Sequence, residues 1–563
     1  METYPKVTLD LTTNPTITWT ATHNLGNISL LSVRNKNSSD FMSLGLNYSI
    51  LDGSLSQTLT NIAYASDIVS GSNGEFSQCT ITGTFAEPQD FLTTTLKFGT
   101  NYPKKIKIEY LNQSYSLITS EEIDNIDRES IFTNRSVTSC YQIKLTFLES
   151  WNPYQICCLQ EWIIGALLEY TQENLVSLKI NESCDPITRE LPISTAQMEA
   201  YPLLAGFDIS DPNGVTKYIK PGRIAHISTT IVINGVSTNI DYGTWYVKKL
   251  ESDDNITIKL SFENMIGRLN DFNFSNSLFY SKIPTSEIEN RSVRAVVTSI
   301  VNSASLSCEF IHSAGTNIVH GFFPYISCRE ALKQVCFACG LLVRANNIIS
   351  IVEPEQEEEV EEYKIEEADI TEPPRYDLQH EFRSCTLTYE PTYNLDQNES
   401  DLVTGITSYG VYSHEPAINV QLRRTSDSGT AALLENNLTN ARLAIFEEGE
   451  FKLIGRKYSP DGGQKTLTVE DRNVGIIGTG KINIPASGNI TVGNSDLVAE
   501  QTLQFMNDNL LKTNLEYISK GQRVGYKTQI VLNDKTITGW ITHQSIDLVN
   551  GMITQLELLG GTN

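Results

Sequence analysis

The sequence predicts a mainly β, multidomain protein, with an N-terminal β-sandwich and two β-barrel-like domains joined by a small α/β helix-plus-hairpin unit. Three observations support this prediction. The chain has 563 residues, which is too long for a single hydrophobic core. Its composition favours strands, because Thr, Ser, Asn, Ile and Val are frequent. Short runs, such as residues 104–110, alternate apolar and polar side chains with the period of a strand.

Residues 1–165 are predicted to form the β-sandwich. Trp151, Tyr154 and Trp162 lie near its end. The faces of aromatic rings stack on pyranose rings, so these three residues are candidates for a glycan-binding platform. The alternative is that they pack in the core of the sandwich, which is the more frequent fate of large aromatic side chains.

Residues 166–290 are predicted to form the first of the two barrel-like domains. Asn234-Gly235 stands between two β-branched runs and is the strongest hairpin signal in the chain. A short helix, at about residues 263–270, is expected to close this domain.

Residues 291–374 are predicted to form the α/β unit and an acidic linker. One helix is expected at residues 292–304. A second helix is expected to begin after Ser327 as N-cap, with Glu330 placed to complete a capping box. Leu332 and Val335 lie on its broad apolar surface and should be buried, and Gly340 should end it in a left-handed conformation.

A tight hairpin around Asn346-Asn347 is predicted to follow this helix, because short β-branched runs flank the two asparagines. The acidic run at residues 355–369 is interpreted as a solvated linker, with an acidic surface facing a channel as the alternative.

Residues 375–563 are predicted to form the second barrel-like domain, interrupted by two helices. The first spans residues 431–446, where Leu433, Leu438, Ala441 and Ile445 follow helical spacing. The second begins at Ser495 and runs to about residue 511.

The sequence contains no recognisable catalytic motif. HExxH, Walker-type and GxSxG patterns are absent, and none of the seven His stands at ligand spacing with another His or a Cys. The spacing of Cys336 and Cys339 is CxxC, but it falls near the end of a helix, so two buried thiols are expected. No metal site, cofactor or enzymatic activity is therefore predicted. The many carboxylates leave a glycosidase pair open as an alternative.

The net charge of −25 argues against a protein that wraps nucleic acid, because a polyanion needs a basic surface. It suits an assembly component, or a conduit that DNA crosses without sticking. No signal peptide, membrane anchor or membrane span is expected.

Four stretches of the chain resemble tail-tip or baseplate hub proteins of phages and prophages of Gram-positive bacteria, a family of tail-associated structural proteins. The similarity covers most of residues 150–563 in patches, and the N-terminal sandwich loosely resembles a discoidin-like carbohydrate-binding fold. The first stretch runs from Trp151 to Trp162 and is followed by Ser183–Ile193. The second runs from Tyr242 to Asn270, the third is Gly321–Val352, and the fourth runs from Gly539 to Leu558.

The resemblance implies a homotrimeric hub, whose two β-domains per chain form a pseudo-sixfold ring that caps the tail tube. The implied partners are the distal tail protein, the tape-measure protein and tail-fibre or spike proteins, with DNA only in transit. The implied location is the virion tail, after synthesis in the host cytoplasm. The alternative functions are a tail receptor protein that binds host-surface carbohydrate, and a cell-wall hydrolase.

Overall fold

The protein is described by a computed structural model, which is mainly β and contains several sheets. The structure describes residues 2–562 except residues 13–14, 33–62, 92, 99–101, 134–136, 166, 204–207, 211–217, 234, 254–255, 276–291, 312–313, 315, 317–318, 320, 390–392, 476–479, 488, 492 and 534.

The strands and helices of the N-terminal half follow in chain order. The first strand and the sandwich contain β1 (Glu2–Asp10), β2 (Ile17–Ala21), β3 (Tyr64–Ala65), β4 (Thr80–Phe91), β5 (Thr94–Lys97), β6 (Lys105–Leu111), β7 (Leu117–Asp124), β8 (Ser130–Phe132), β9 (Val137–Glu149), β10 (Cys158–Leu159) and β11 (Glu161–Ile164). The next unit contains β12 (Leu167–Thr171), β13 (Leu175–Ser183), β14 (Thr195–Ala200), β15 (Ile224–Ile233), β16 (Val236–Glu251), β17 (Ile258–Glu263) and helix α1 (Met265–Asn270).

The C-terminal half begins with the α/β unit. This unit contains β18 (Asn273–Phe274), α2 (Val293–Ser303), β19 (Cys308–Phe310), β20 (Ile326–Ser327), α3 (Cys328–Ala338), β21 (Leu342–Ala345) and β22 (Ile349–Val352). The remaining elements are β23 (Ile365–Glu366), β24 (Ile370–Leu378), β25 (Phe382–Tyr389), β26 (Tyr393–Leu395), β27 (Ser400–Ile406), β28 (Gly410–Ser413), β29 (Ala417–Arg424), β30 (Thr430–Asn436), β31 (Asn440–Glu447), β32 (Phe451–Pro460), β33 (Lys465–Glu470), β34 (Gly480–Ile484), α4 (Ser495–Asp508), β35 (Leu511–Ile518), β36 (Lys527–Val531), β37 (Thr536–Asp547) and β38 (Ile553–Thr562).

A 13-stranded sheet runs through both β-rich parts of the chain and organises the fold. Its first half has the order β12-β1-β15-β16-β17-β14-β13, and its second half continues as β37-β38-β35-β24, with β36 beside β37 and β23 beside β36. The two predicted barrels are therefore not seen as separate closed units in the described pairings. The reason is that β13 hydrogen-bonds to β37, so the halves share one open ladder.

The sandwich is an insertion in the central sheet and does not include the first strand. β1 pairs with both β12 and β15 of that sheet, so the predicted boundary at residue 1 is displaced to the end of β1. The inserted residues form a five-stranded sheet, β2-β4-β9-β6-β7, which faces the three-stranded sheet β11-β5-β8 across an aromatic core. Because β1 and β12 are antiparallel neighbours, the insertion leaves and rejoins the sheet at one place.

A second insertion lies between β25 and β33, which also pair with each other. The predicted helix at residues 431–446 is wrong, because this stretch forms β30 and β31, with Leu433 opposite Leu443. Asn437 makes the connecting turn by donating its backbone N–H to the carbonyl of Asn440. Leu433, Ala441 and Ile445, which suggested a helical stripe, pack in the small core of this hairpin, where Ala441 and Leu443 are buried.

The α/β unit packs against the first half of the sheet. Helices α2 and α3 share one core with α1 and with Tyr246 of β16. The predicted hairpin is present as β21 and β22, in which Ala345 pairs with Ile349 across a three-residue connection. The other predicted hairpin is formed by β15 and β16; Gly235 has φ 81° there, while Asn234 lies outside the described residues.

The acidic run at residues 355–369 is ordered along the edge of the second half. It contains three short 3-10 turns, and β23 pairs in parallel with β36. The interpretation as a solvated linker is therefore wrong for part of the run, because Ile365 is buried and Glu357 forms an ion pair with Arg344.

Candidate functional site

Strand β37 joins the two halves of the central sheet along one edge. Its first part, Thr536–Trp540, pairs with β36 of the second half. Its last part, His543–Asp547, pairs with Ser183–Lys179 of β13 in the first half. The other edge of β37 is covered by β38 along most of its length. The junction between the halves is therefore continuous backbone hydrogen bonding, and no loop separates them at this point.

A buried ion pair lies at this junction. Arg523 places Nη2 2.7 Å and Nε 3.1 Å from Oε1 of Glu182, and both side chains are almost completely buried. Gln544 of β37 donates a further hydrogen bond from Nε2 to Oε2 of Glu182. Burial lowers the pKa of Arg523, but the Glu182 carboxylate outweighs this and leaves that pKa raised. The guanidinium therefore stays charged.

The remaining donors of Arg523 reach two other parts of the fold. Nη1 donates to the carbonyl of Asp241 at 2.8 Å, in β16. Nη2 donates to Oδ1 of Asn346 at 2.7 Å, in the connection between β21 and β22. One guanidinium thus contacts β13, β16 and the α/β hairpin from the loop before β36. Its planar fork suits this task because its donors have fixed directions.

A second buried cation reinforces the same region. Arg344 of β21 lies 2.8 Å from Glu357 and donates from Nε to the carbonyl of Gly525 at 2.8 Å. Its guanidinium carbon is 3.8 Å from the ring centroid of Tyr526. These contacts tie the α/β hairpin to the acidic run and to the loop that carries Arg523. A desolvated ion pair adds little net stability compared with apolar packing, but it leaves few alternative arrangements for its partners.

A cleft of about 430 Å³ opens beside α3, between residues 185–190, residues 483–490 and α4. A neighbouring cleft of about 270 Å³ shares Ile187, Phe337 and Phe505 with it. Burial raises the pKa of Asp185, whose carboxylate accepts backbone hydrogen bonds from Ile187 and Glu190. The lining mixes apolar side chains with charges of both signs.

The three predicted glycan-binding aromatics are not brought together. Trp162 is buried in the sandwich core, with its ring centroid 5.1 Å from that of Trp19. The platform of three residues is therefore wrong at Trp162, which belongs to β11 and faces inward, and the alternative of core packing is confirmed for this residue. Trp151 and Tyr154 lie in the loop after β9, and they are 45% and 52% exposed.

The residues singled out on the helix occupy defined positions. Ser327 is the N-cap of α3 and accepts from the backbone N–H of Glu330. The Glu330 carboxylate interacts further along the helix, with Gln334 and Lys333. Leu332 and Val335 are fully buried. Gly340 has φ 67° and follows the C-cap.

The helix ends in a Schellman arrangement. Gly340 donates to the carbonyl of Phe337 and Leu341 donates to that of Cys336. The CxxC thiols lie just before this end. Burial raises the pKa of Cys339 to about 12 and that of Cys336 well above its ordinary value, so both remain protonated near neutral pH.

Within the described part of the chain, no group of three or more His, Cys, Asp and Glu residues could hold a metal ion. His312 and His320 lie outside the described residues. Among the helices that the structure describes, none is long and apolar enough to cross a membrane.

Sequence reasoning missed the residues of the junction. Glu182, Arg523 and Gln544 are far apart in the chain and follow no spacing rule. The one local signal is that Arg523 stands between Gly521 and Gly525, which have φ 108° and 77°. Such a loop allows backbone to approach closely, but it does not indicate the partner.

No protein-family model and no curated protein matches this chain. Among solved structures, the prophage MuSo2 43 kDa tail protein from Shewanella oneidensis has 10% identity and a TM-score of 0.38, covering 70% of this chain and 95% of its own. The prophage tail protein gp18 from Listeria monocytogenes EGD-e has 10% identity and a TM-score of 0.38, covering 70% and 91%. The tail protein from Neisseria meningitidis MC58 has 9% identity and a TM-score of 0.38, covering 70% and 93%. These three similar structures are thus all tail proteins, and two of them come from prophages.

Proposed function

We propose that this chain is a structural, non-enzymatic component of the tail tip or baseplate of a phage or phage-like particle. In this proposal it forms the hub that caps the tail tube and opens for DNA passage. The observation that carries the proposal is the junction: one sheet runs through both β-rich halves and is fixed by the buried Glu182–Arg523 pair. A scaffold needs such a rigid relation between its halves, whereas an active site needs reactive groups in a cleft.

Two further features support the scaffold role. The sandwich insertion starts and ends in β1 and β12, which pair with each other, so the central sheet is continuous beneath it. The second insertion starts and ends in β25 and β33, which pair in a separate three-stranded sheet and leave the central sheet uninterrupted. The net charge of −25 would repel the DNA backbone from a lumen lined by this chain. The proposed assembly is a homotrimer that contacts the distal tail protein, the tape-measure protein and tail-fibre or spike proteins, and this assembly rests on the sequence resemblance.

Electron cryo-microscopy of the assembled particle tests the proposal. Three copies at the end of the tail tube, with the central sheets arranged around the axis, are expected. One copy per particle, or density only at the periphery of the tail, would contradict the hub role. Light scattering of the purified chain gives its mass in solution, with a trimer as the expected result.

A cell-wall zymogram tests the non-enzymatic part of the proposal independently. The purified chain is expected to produce no clearing in a gel that contains host cell wall. A cleared band that persists in a highly purified preparation would mean that the carboxylates of this chain include a hydrolytic pair.

A further inference from the structure

The loop after β9 carries two exposed aromatic side chains at one end of the sandwich. Trp151 is 45% exposed and Tyr154 is 52% exposed. Neither belongs to the central sheet or to the junction, and the proposed hub role makes no use of them. The other large aromatic side chains of this sandwich that are close by, such as Phe147 and Tyr64, are buried in its core.

This loop lies at the end of the sandwich that is remote from the central sheet. The insertion rejoins the sheet at Gly165, where an added Cβ would lie 2.5 Å from Cα of Thr12. The backbone N–H of Gly165 donates to the carbonyl of Thr93 at 2.7 Å. Thr94, which follows Thr93, donates its backbone N–H to the hydroxyl oxygen of Thr133 at 3.0 Å. The hydroxyl of Tyr110, at the end of β6, reaches the same Thr133.

The aromatic loop is at the opposite end of β6. Glu149, the last residue of β9, pairs with Lys105, the first residue of β6. Lys105 and Tyr110 are five residues apart, which is about 17 Å along a strand. Trp151 and Tyr154 follow Glu149 directly, so they are presented away from the point where the insertion joins the sheet.

The loop is held in place by hydrogen bonds. The indole Nε1 of Trp151 donates to the carbonyl of Ile126 at 2.8 Å, which fixes the orientation of the ring. The hydroxyl of Ser150 donates to that of Ser70 at 2.8 Å, and the backbone N–H of Gln155 donates to the same Ser70 oxygen at 3.1 Å. Tyr154 has φ 60°, an uncommon conformation for a residue with a side chain. Binding here would therefore lose little conformational entropy.

We propose that the loop bearing Trp151 and Tyr154 binds a neutral glycan built of pyranose rings. The face of an aromatic ring is electron-rich and attracts the polarised C–H groups on one face of a pyranose. Asn152 and the Nε2 group of Gln155 supply amides of the kind that hydrogen-bond sugar hydroxyls, whereas Oε1 of Gln155 accepts from the backbone N–H of Asn152 within the loop. The amide of Asn73, beside the loop, is bonded to Glu75 at both ends. Glu75, whose carboxylate is exposed beside the loop and accepts from Asn73, disfavours phosphate-rich or other anionic polymers there, which favours a neutral ligand. This inference goes beyond the hub proposal, and either can fail while the other stands.

The tryptophan content of the chain provides a direct assay on the intact protein. Of its five tryptophans, Trp19, Trp162, Trp245 and Trp540 are buried, so Trp151 is the one that acrylamide quenches readily. The probes are the N-acetylglucosamine trimer, lactose and maltotriose, each at about 10 mM because single-site sugar affinities are weak. At least one of them is expected to protect the quenchable fluorescence.

A matched control is available within the same insertion. Tyr115 has φ 59° and is 60% exposed, but it lies beyond the other end of β6. Tyr154→Ala is expected to weaken binding of the protecting sugar by about tenfold, and Tyr115→Ala by less than about twofold. Trp151→Ala should abolish retention on a column bearing that sugar at a temperature where circular dichroism shows the variant to be folded, since loss of the hydrogen bond to Ile126 also lowers its unfolding midpoint.

Three results would overturn the inference. The first is that none of the three sugars protects Trp151 while acrylamide still quenches it. The second is protection by a glycerol phosphate polymer alone, which would make the ligand anionic. The third is an equal loss of binding in the Tyr115→Ala and Tyr154→Ala variants, which would place the sugar elsewhere or indicate a general effect on the sandwich.

Discussion

Arg523 and Glu182 are 341 residues apart in the sequence, yet Nη2 of Arg523 lies 2.7 Å from Oε1 of Glu182. This contact joins the loop before β36 to β13, at the place where the two halves of the central sheet meet. A buried pair of this kind depends on both members, because removing one leaves the other charged and without its counter-ion.

Arg523→Met is therefore expected to lower the free energy of unfolding by about 3–5 kcal/mol, since Glu182 would stay buried and unpaired. The measurement is the urea midpoint followed by circular dichroism. The double variant Arg523→Met with Glu182→Leu should recover a large part of the loss. Arg128→Met is the control, because Arg128 and its partner Asp127 are both exposed, and no change is expected. If Arg523→Met and Arg128→Met lowered the urea midpoint equally, the proposed role of the junction would be contradicted.

Leu332→Ala, on helix α3, should destabilise the protein by about 2–5 kcal/mol, because it opens a cavity in the core shared with α1 and α2. Leu332→Asp or Val335→Asp should prevent folding, since each would bury a carboxylate without a partner. Lys333→Ala, on the outer side of the same helix, serves as the control and should have little effect. Soluble yield and thermal unfolding report the difference, and a folded Leu332→Asp chain would show that this core is dispensable.

Gly340→Ala should be more harmful than Gly551→Ala. Both glycines have positive φ, 67° and 76°, so both substitutions bring backbone strain of about 1–2 kcal/mol. An added Cβ at Gly340 would also lie 2.6 Å from Oε1 of Gln501, whereas nothing lies within 4 Å at Gly551. Adding Gln501→Ala to Gly340→Ala should remove the extra loss. Equal unfolding midpoints for the two glycine variants would rule out this contact as a restraint.

The sandwich should be removable without loss of the central sheet. Asp10 pairs with Leu167, so a short Gly-Ser turn in place of residues 12–165 can connect β1 to β12 directly. The shortened chain is expected to be soluble and to unfold cooperatively. Circular dichroism and light scattering check this outcome. Aggregation of the shortened chain, with a folded full-length chain as control, would mean that the sandwich is needed for the sheet to form.

The CxxC thiols should be inert in the native protein. Burial holds the pKa of Cys339 at about 12, above its ordinary value of 9, so the native state binds this proton more tightly than the unfolded state. The resulting stability is fully present below pH 9 and is lost as the pH rises towards 12. Iodoacetamide at neutral pH should therefore label Cys336, which is fully buried, only after denaturation, and should label the partly exposed but protonated Cys339 slowly, as peptide mass spectrometry can show. Rapid labelling of Cys336 in the folded chain would contradict its burial.

Local signals in the sequence predicted the elements that depend on neighbouring residues. The helix after Ser327, its end at Gly340 and the hairpin of β21 and β22 all follow from caps and turn residues within a few positions. The helix near Ser495 is also present, although Asn494 is its N-cap and it ends at Asp508.

The errors arose where one pattern fits two structures. In residues 431–446 the apolar positions suit a helical stripe, but they also suit a hairpin in which Leu443 and Ala441 face inward. The Asn436-Asn437 pair was the turn signal that distinguishes them. Trp162 also fitted two structures, an exposed binding position and the sandwich core. A tryptophan near a loop gives no local indication of which way its side chain faces.

The junction was beyond prediction from one sequence. Glu182, Arg523 and Gln544 become neighbours only when β13 and β37 pair, and that pairing is a long-range event. The place of β1 in the central sheet has the same origin, since its partners begin at Leu167 and Ile224.

The way in which the sandwich is attached has a mechanical consequence. It is connected at the adjacent ends of β1 and β12, which are antiparallel neighbours. A pull on the sandwich is therefore directed along both strands at once. Nine residues of β1 pair with β15, so their hydrogen bonds would resist this force together in shear and would not open one after another. The attachment is thus suited to withstand tension from whatever the outer end of the sandwich holds.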